Sequence, residues 1–256
     1  MEMPCMIHVF FTLVFFPVTP VAPRAPVVAL EMVEHTTSLI QVGATFDHLA
    51  RRHPNREAAR MHDLNRIASC CGVVLTRTAG SILHRATAWS VGPGEWITAW
   101  PGSDDDEPAD PPQGLELMLA SNGSVHPLTG WEWDAGIVGL NGPDIGDALP
   151  IHEDGAQLHK RDRLKAFAFP DMIDHPSVRL SRRALTPELY YPYVSPWSIN
   201  GNLCLFTARE GFLTGRCYPG MAGGPVMGAD GKVVGVLLGG ERSPEHPPLS
   251  RFARLA

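Results

Sequence analysis

The segment that decides the fold is Gly-Met-Ala-Gly-Gly-Pro-Val at residues 220–226, followed by Gly-Lys-Val-Val-Gly-Val-Leu at residues 231–237. Its clustered glycines allow a tight turn, because glycine adopts backbone conformations that other residues avoid. The second part starts with a glycine and continues with β-branched and apolar residues, as a strand does when it leaves a turn. The segment therefore predicts a tight glycine-rich loop that leads into a buried strand.

Strand-like runs separated by turn residues continue along the chain from Gly72 onward. Apolar runs such as residues 86–91 and 115–119 alternate with turn clusters such as Gly-Pro-Gly at residues 92–94, and the same texture returns near residues 163–169. The 25 Gly and 24 Pro are spread along the chain, which indicates many turns and favours an all-β over an all-α domain. Strands at this spacing predict a barrel or a sandwich.

Composition argues against several classes of function. The formal net charge is −6 and no long basic run occurs, so nucleic acid is not an expected partner, because phosphate contacts need clustered Lys and Arg. The five cysteines form no C-x-x-C pair with zinc-ligand spacing, so we expect no structural zinc. We expect no other metal and no cofactor.

Two segments are predicted to precede the β domain. Residues 1–30 form a signal or a disordered leader, because the apolar run at residues 6–16 resembles the core of a secretory signal, although no Lys or Arg precedes it. This run is too short for a stable membrane span as a helix. We expect a secreted or periplasmic protein if it is a signal, and a cytoplasmic one otherwise. Residues 31–71 are predicted to be a helical extension, because apolar residues recur there at roughly helical spacing.

The glycine-rich segment resembles the G-x-S-G-G-P motif of trypsin-like (chymotrypsin-fold) serine proteases. In that family the motif carries the nucleophilic serine, and Ala222 stands in its place here. The resemblance implies that the backbone N–H groups of Gly220 and Ala222 form the oxyanion hole. It also implies that residues 72–256 form an all-β domain of two six-stranded antiparallel barrels packed side by side.

A second block, Trp-Asp-Ala-Gly-Ile-Val-Gly-Leu at residues 133–140, resembles the D-x-A-x-L-x-L segment that holds the family's aspartate. The resemblance assigns Asp134 to the aspartate position of the catalytic triad. An aspartate in this position orients the catalytic histidine and stabilises its charged form.

A third block, residues 86–99, resembles the family's segment G-T-x-F-x-V-G-P-G-x-x-L-T-x-A-H, but the chain departs from this motif at its histidine. The histidine position falls at Trp100 or Pro101, and neither side chain can take a proton from a hydroxyl. His84 is the alternative base, in a second alignment that places residues 80–83 on the strand before the histidine. That alignment lacks the T-x-A-H ending. The other interpretation of His84 is an exposed turn histidine.

Two looser assignments concern the substrate pocket and its activation. Arg216 lies where the floor of the specificity pocket is expected, and the alternative is a surface arginine at a strand end. Many digestive members of the family carry an aspartate just before the serine, which binds a freed N-terminus. Met221 occupies that position, so we expect no activation by such an ion pair.

Cys204 and Cys217 are candidates for a cross-strand disulfide. If Glu210 and Gly211 form a two-residue hairpin turn, Arg209 faces Phe212 and the two cysteines lie directly opposite one another. Two buried free thiols are the alternative, given how often cysteine is buried.

The sequence supports two main hypotheses of function. The first is a catalytically inactive homologue that holds a peptide or protein in its cleft, because an alanine offers no nucleophile and a cleft still binds extended chains by strand addition. The second is a serine endopeptidase that hydrolyses peptide bonds, seen here as a Ser-to-Ala variant at position 222. An unrelated β-rich structural domain is a third hypothesis, which the order and spacing of three matched blocks disfavour.

Overall fold

The computed structural model describes residues 30–32, 64–78, 80–100, 113–134, 136–152, 157–172, 185–241 and 247–255, with only the backbone for residues 30–32. Residues 1–29 of the predicted leader (1–30) and residues 33–63 of the predicted helical extension (31–71) lie outside the described residues, as does Pro101. Where the extension is described, residues 31, 32 and 71 are in strands and residues 64–69 are helical. Residues 64–69 form a helix, α1, whose Leu64 and Ile67 are buried against the main domain.

The first half of the domain is a curled antiparallel sheet. Its strands are β2 (Cys71–Thr78), β3 (Ser81–Gly92), β4 (Glu95–Ala99), β5 (Leu115–Leu119), β6 (Val125–Pro127), β7 (Thr129–Asp134) and β8 (Ile137–Asn141). They lie in the order β6-β5-β2-β3-β4-β8-β7. Trp89 on β3 and Trp96 on β4 are almost completely buried. Trp89 pairs with Ile97 and Trp96 with Ser90, so the two rings lie on opposite faces of the sheet. Trp96 packs in the apolar cluster of the first sheet and Trp89 in the cluster that it shares with the second, so both faces are buried here.

The second half is a closed barrel. Its strands are β9 (Arg163–Ala168), β10 (Trp197–Phe206), β11 (Glu210–Thr214), β12 (Pro225–Met227), β13 (Val233–Glu241) and β14 (Leu249–Arg254). The order β10-β11-β14-β13-β12-β9 closes because β9 also pairs with β10. A short strand, β1 (Leu30–Met32), runs parallel to the start of β10. A short helix, α2 (Pro187–Tyr190), precedes β10.

This architecture confirms the predicted fold class. The protein is mostly β, with two sheets in a chymotrypsin-like double-barrel arrangement. β6 and β7, the two ends of the first sheet's strand order, are consecutive in the chain, and Leu128 between them donates its backbone N–H to the carbonyl of Leu115 on β5 at 2.9 Å. One apolar cluster fills the space between the sheets, with Trp89 and Ala99 from the first and Phe167, Ala222 and Val236 from the second.

The predicted hairpin turn at Glu210 and Gly211 is wrong. Glu210 begins β11, and its carbonyl accepts a hydrogen bond from the N–H of Thr207 at 2.8 Å, so residues 207–209 make the turn. Gly211 is needed inside the strand, because a Cβ there would collide with the ring of Phe252 on β14.

The shifted turn separates the two cysteines. Phe206 pairs with Gly211, and an irregularity in the pairing falls at Cys204. Because β11 ends at Thr214, Cys217 lies beyond the hairpin and does not face Cys204. Both residues are free thiols, and burial raises the pKa of Cys217 to about 12.

No described helix has both the length and the apolar character needed to cross a membrane. In the same part of the chain, no three His, Cys, Asp or Glu side chains are grouped so that they could hold a metal ion.

Candidate active site

The glycine-rich loop is held between the two sheets. The carbonyl of Ala222 accepts a hydrogen bond from the N–H of Thr87 on β3 at 2.7 Å, and the N–H of Gly223 donates to Leu237 on β13 at 2.6 Å. Ala222 is only 6% exposed. The position that would carry a nucleophile is therefore anchored to both halves of the domain.

Two glycines in the loop are required by the backbone and by close packing. Gly220 and Gly223 have φ of 85° and 89°, a region that other residues rarely adopt. A Cβ on Gly220 would meet the backbone nitrogen of Asp171 and the ring of His84. A Cβ on Gly223 would meet the carbonyl oxygen of Thr87. The sequence block therefore folds as its glycines predict.

The side chain of Thr87 also holds this loop in place. Its hydroxyl donates to the carbonyl of Gly220 at 3.1 Å and accepts a hydrogen bond from the N–H of Phe169 at 2.9 Å. Thr87 is fully buried, so its satisfied hydroxyl joins β3 to two segments of the second barrel.

The predicted oxyanion donors have free hydrogen-bonding capacity. Within the described residues, the backbone N–H groups of Gly220 and Ala222 donate to no acceptor, whereas those of Met221, Gly223 and Gly224 are all bonded. Unpaired N–H groups in a turn of this kind are what an oxyanion hole requires. Their catalytic role stays a prediction.

Asp134 and Trp100 lie at the same end of the first sheet. Ile137 on β8 pairs with Ala99 on one side and with Asp134 on the other, and Trp100 follows Ala99 directly. A Cβ on Gly136, in the turn after Asp134, would lie 3.4 Å from Leu238 on β13. The three blocks matched in the sequence therefore converge beside the Ala222 loop. Asp134 itself is exposed.

His84 lies at the cleft but takes a different partner. Its ring is buried on β3, and its Nδ1 lies 2.8 Å from the hydroxyl of Tyr190 on α2. That hydroxyl donates to the Asp171 carboxylate at 3.3 Å and accepts from the N–H of Met172. The Tyr190 hydroxyl therefore links the imidazole of His84 to the carboxylate of Asp171. His84 is thus paired with Tyr190 and not with Asp134.

The Nε2 of His84 faces the glycine loop. A Cβ on Gly220 would lie 2.9 Å from it, and Nε2 is buried without a hydrogen-bond partner. Burial lowers the pKa of His84 to about 3, because the charged ring would lose its hydration. The ring is therefore neutral near pH 7 and a weak base.

Sequence reasoning missed Tyr190 and Asp171. The signal for Tyr190 was the sequence Thr-Pro-Glu-Leu-Tyr at residues 186–190, in which Thr186 caps a helix with proline at its first position. This capping predicts a helical turn, but its docking against His84, 106 residues away, is a tertiary contact.

Arg216 is an exposed residue and not a buried pocket floor. Its guanidinium carbon lies 5.0 Å from the centre of the Tyr218 ring, and it borders a small groove together with Trp197 and Met221. Met221 is fully buried, and its sulfur accepts the N–H of Tyr218 at 3.3 Å. A substrate-binding role for Arg216 stays a prediction.

We expect the stability of the protein to depend on pH through His84. Below pH 6.5 the unfolded chain binds a proton at this residue, whereas the folded protein does not until about pH 3. The free energy of unfolding should therefore fall on acidification through this window, by up to about 1.4 kcal/mol per pH unit from this group. Urea unfolding between pH 7 and 4 should show that the difference between wild type and His84→Gln shrinks as the pH falls. His159→Gln, at a histidine whose side chain is 75% exposed, is the control. Parallel curves for wild type and His84→Gln would contradict the assignment.

Comparison with known proteins supports the fold. No protein-family model matches the chain, and no curated protein matches it. Among solved structures, a Glu endopeptidase in complex with MPD is 12% identical, with a TM-score of 0.52 over 73% of this chain and 85% of its own. The active form of the Rv3671c protease from M. tuberculosis is 10% identical, with a TM-score of 0.53 over 93% and 88% of the two chains.

A third similar structure is the thermostable serine protease AL20 from an extremophilic microorganism. It is 12% identical, with a TM-score of 0.50 over 73% of this chain and 91% of its own. At these identities the likeness establishes the fold alone, which is the double-barrel fold of trypsin-like serine proteases.

Proposed function

We propose that this protein is a catalytically inactive homologue of trypsin-like serine proteases that binds a peptide or protein segment in the cleft between its two sheets. The observation that carries the proposal is Ala222. It occupies the tip of a loop that is anchored to β3 and β13 as a nucleophile loop should be, yet its side chain is a methyl group.

The side chains around Ala222 are also unsuited to peptide hydrolysis. A serine protease needs a hydroxyl and a base that removes its proton. Within the described residues, the imidazole that contacts the loop is that of His84, whose pKa is lowered by burial and whose partner at Nδ1 is a phenol instead of a carboxylate. Without a hydroxyl nucleophile and a base of suitable strength, the cleft would accelerate hydrolysis only weakly relative to the reaction in water.

A strand edge beside the loop supports a binding role. β13 pairs with β12 only as far as Val236, and Leu237 next bonds to Gly223 and Gly224 of the loop. Beyond it, residues 238–241 have no described strand partner on that side. A Cβ on Gly239 would meet nothing within 4 Å, so the approach is open. An extended peptide can add to such an edge through main-chain hydrogen bonds.

We expect no serine-hydrolase activity from the purified protein. A fluorophosphonate probe should leave it unlabelled, because Ala222 has no oxygen to phosphonylate. Incubated peptides should be recovered intact by mass spectrometry. An active trypsin-like protease treated in parallel is the positive control. Labelling that disappears when the protein is denatured beforehand would overturn the proposal.

The alternative is a serine endopeptidase whose nucleophile was replaced at position 222. The anchored loop and the unpaired N–H groups of Gly220 and Ala222 favour it, since an oxyanion hole is of no use to an inactive protein. This alternative predicts a base of ordinary strength near Ala222. Restoring the serine separates the two, as described in the Discussion.

A further inference from the structure

The glycine-rich loop consists of two consecutive β-turns, at residues 218–221 and 221–224. In each turn the N–H of the fourth residue donates to the carbonyl of the first, at 3.1 Å in the first turn and 3.2 Å in the second. The third residues are Gly220 and Gly223, with φ of 85° and 89°. A positive φ at the third position is what a type II turn requires.

Hydrogen bonds to their carbonyls fix the direction of two peptide groups in these turns. The carbonyl of Pro219 accepts the N–H of Asp171 at 2.7 Å, and the carbonyl of Met221 accepts the bond that closes the second turn. No peptide bond in the described residues is cis, so the N–H of each peptide group points away from its carbonyl. The N–H groups of Gly220 and Ala222 therefore point away from the atoms that anchor the loop.

These two N–H groups lack an acceptor although they lie in buried residues. Gly220 and Ala222 are both buried, and in the described part of the chain neither N–H makes a hydrogen bond. Buried N–H groups in native proteins are nearly all paired, so these two call for an acceptor that the chain does not supply. Neighbouring N–H groups in turns of this kind form a concave nest that binds anions.

A positive charge lies at the start of the first turn. The guanidinium carbon of Arg216 is 5.0 Å from the ring centre of Tyr218. None of the ion pairs among the described residues involves Arg216. The carboxylate of Asp171, whose backbone anchors the turn, is engaged by the hydroxyl of Tyr190 at 3.3 Å. The charge that Arg216 brings to the loop therefore favours an anionic ligand, because a guanidinium pairs well with a carboxylate.

We propose that the N–H groups of Gly220 and Ala222 bind the C-terminal carboxylate of a peptide or protein. One carboxylate oxygen accepts both N–H groups. The other oxygen lies where a serine would carry its hydroxyl, since alanine has no γ atom. Hydrogen bonds to a charged oxygen are roughly twice as strong as those to a neutral carbonyl, which favours a chain end over an internal segment. Such a role accounts for the two unpaired N–H groups without catalysis.

This inference rests on the proposed binding role and specifies which part of the ligand reaches the loop. Leu237 exchanges hydrogen bonds with Gly223 and Gly224, and from there β13 runs away from the loop to Glu241. A peptide that adds antiparallel to β13 runs in the opposite direction, so its C-terminus arrives at the loop. The carboxylate is then delivered to the two N–H groups.

The test compares free with blocked C-termini. The probe is a mixture of N-acetylated tetrapeptides randomised at every position, prepared once with a free carboxylate and once with a C-terminal amide. Asp and Glu are left out, so that the C-terminus is the only carboxylate. Binding to the ¹⁵N-labelled full chain is followed by NMR. We expect the acids to shift the amide protons of Gly220 and Ala222 downfield, and the amides to bind about tenfold or more weakly.

Ala222→Pro tests the donor itself. It removes one N–H and leaves the second turn possible, because proline suits the second position of a type II turn. We expect a loss of about tenfold or more in affinity for the acids and little change for the amides. The matched control is Ala229→Pro, at the second position of the turn 228–231, where Ala229 is exposed. It should leave both affinities nearly unchanged.

Several outcomes would overturn the proposal. Equal affinity for acids and amides would refute the carboxylate site and leave the proposed binding role standing. This comparison needs no variant, so it decides the matter even if Ala222→Pro does not fold. Acid binding that leaves the amides of Gly220 and Ala222 unmoved, or equal losses in the two proline variants, would place the carboxylate elsewhere. Absence of binding by either mixture refutes the site, while the probe-labelling test of inactivity remains independent of it.

Discussion

Replacing Ala222 by serine alone should restore little peptide hydrolysis. We expect the rate with a peptide substrate to stay within about tenfold of the parent, because triad members act as a unit and one restored member gains little. His84 is the imidazole beside the loop in the described part of the chain, and burial lowers its pKa to about 3, far below the range in which a general base works near pH 7. Peptide cleavage followed by mass spectrometry measures the result.

A second substitution should bring a much larger gain. Trp100 follows Ala99 at the end of the sheet where Asp134 lies. Its ring contacts Trp131 on the other face of the sheet, so a histidine at position 100 has to turn to the face of Ala99 to join the new serine to that carboxylate. We expect Ala222→Ser combined with Trp100→His to exceed the single variant by about 100-fold or more, the usual size of general-base catalysis. Pro101→His is the second choice of position.

Two controls decide what the gain means. Adding Asp134→Asn to the double variant should remove most of it, because the amide cannot stabilise a charged imidazole. Robust cleavage by Ala222→Ser alone would instead show that a working base is already present. His84 would then be the first candidate, tested by His84→Gln, and the proposal of an inactive homologue would fail.

Gly223→Ala should destabilise the protein more than any surface change. The new Cβ would meet the carbonyl oxygen of Thr87 and lie 2.7 Å from the backbone nitrogen of Ala99, and both atoms belong to paired strands that cannot move aside. The left-handed φ of 89° adds strain of about 1–2 kcal/mol, and overpacking adds about 1–3 kcal/mol. Urea unfolding should show a loss of about 3 kcal/mol or more.

Gly231→Ala is a matched control for this effect. Gly231 has φ of 78°, so alanine is strained there as well, but a Cβ would meet nothing within 4 Å. We expect a loss of only about 1–2 kcal/mol. Similar losses at the two positions would show that the loop is not clamped between the sheets.

The glycine-rich block and the strand after it were predictable because their signals are local. Gly220 and Gly223 are required by the positive φ of the backbone at these positions. The continuous apolar run at residues 233–237 is typical of a strand that is buried on both faces, and all five residues are buried. The positions of β2 to β5 and β8 follow from the same local pattern. Two six-stranded barrels were expected; the second is a closed barrel, and the first is a curled sheet whose order runs from β6 to β7.

The hairpin at Cys204 shows where local reasoning fails. The residue types of Glu210 and Gly211 predict a turn. Gly211 is instead a glycine because a Cβ there would collide with the ring of Phe252 on β14, which lies 41 residues further along the chain. A register depends on which residue a strand meets across the sheet, and one-dimensional spacing does not contain that information.

His84 shows the same limit at the candidate site. The sequence by itself determined that the nucleophile is absent, because an alanine at position 222 has no hydroxyl in any fold. It could not determine what surrounds His84. Only the tertiary structure buried the ring, placed it beside Gly220, and paired it with Tyr190 and Asp171, which lie 106 and 87 residues further along the chain. The reason is physical: the basicity of an imidazole depends on its hydration and its hydrogen-bond partners, and packing between distant segments decides both.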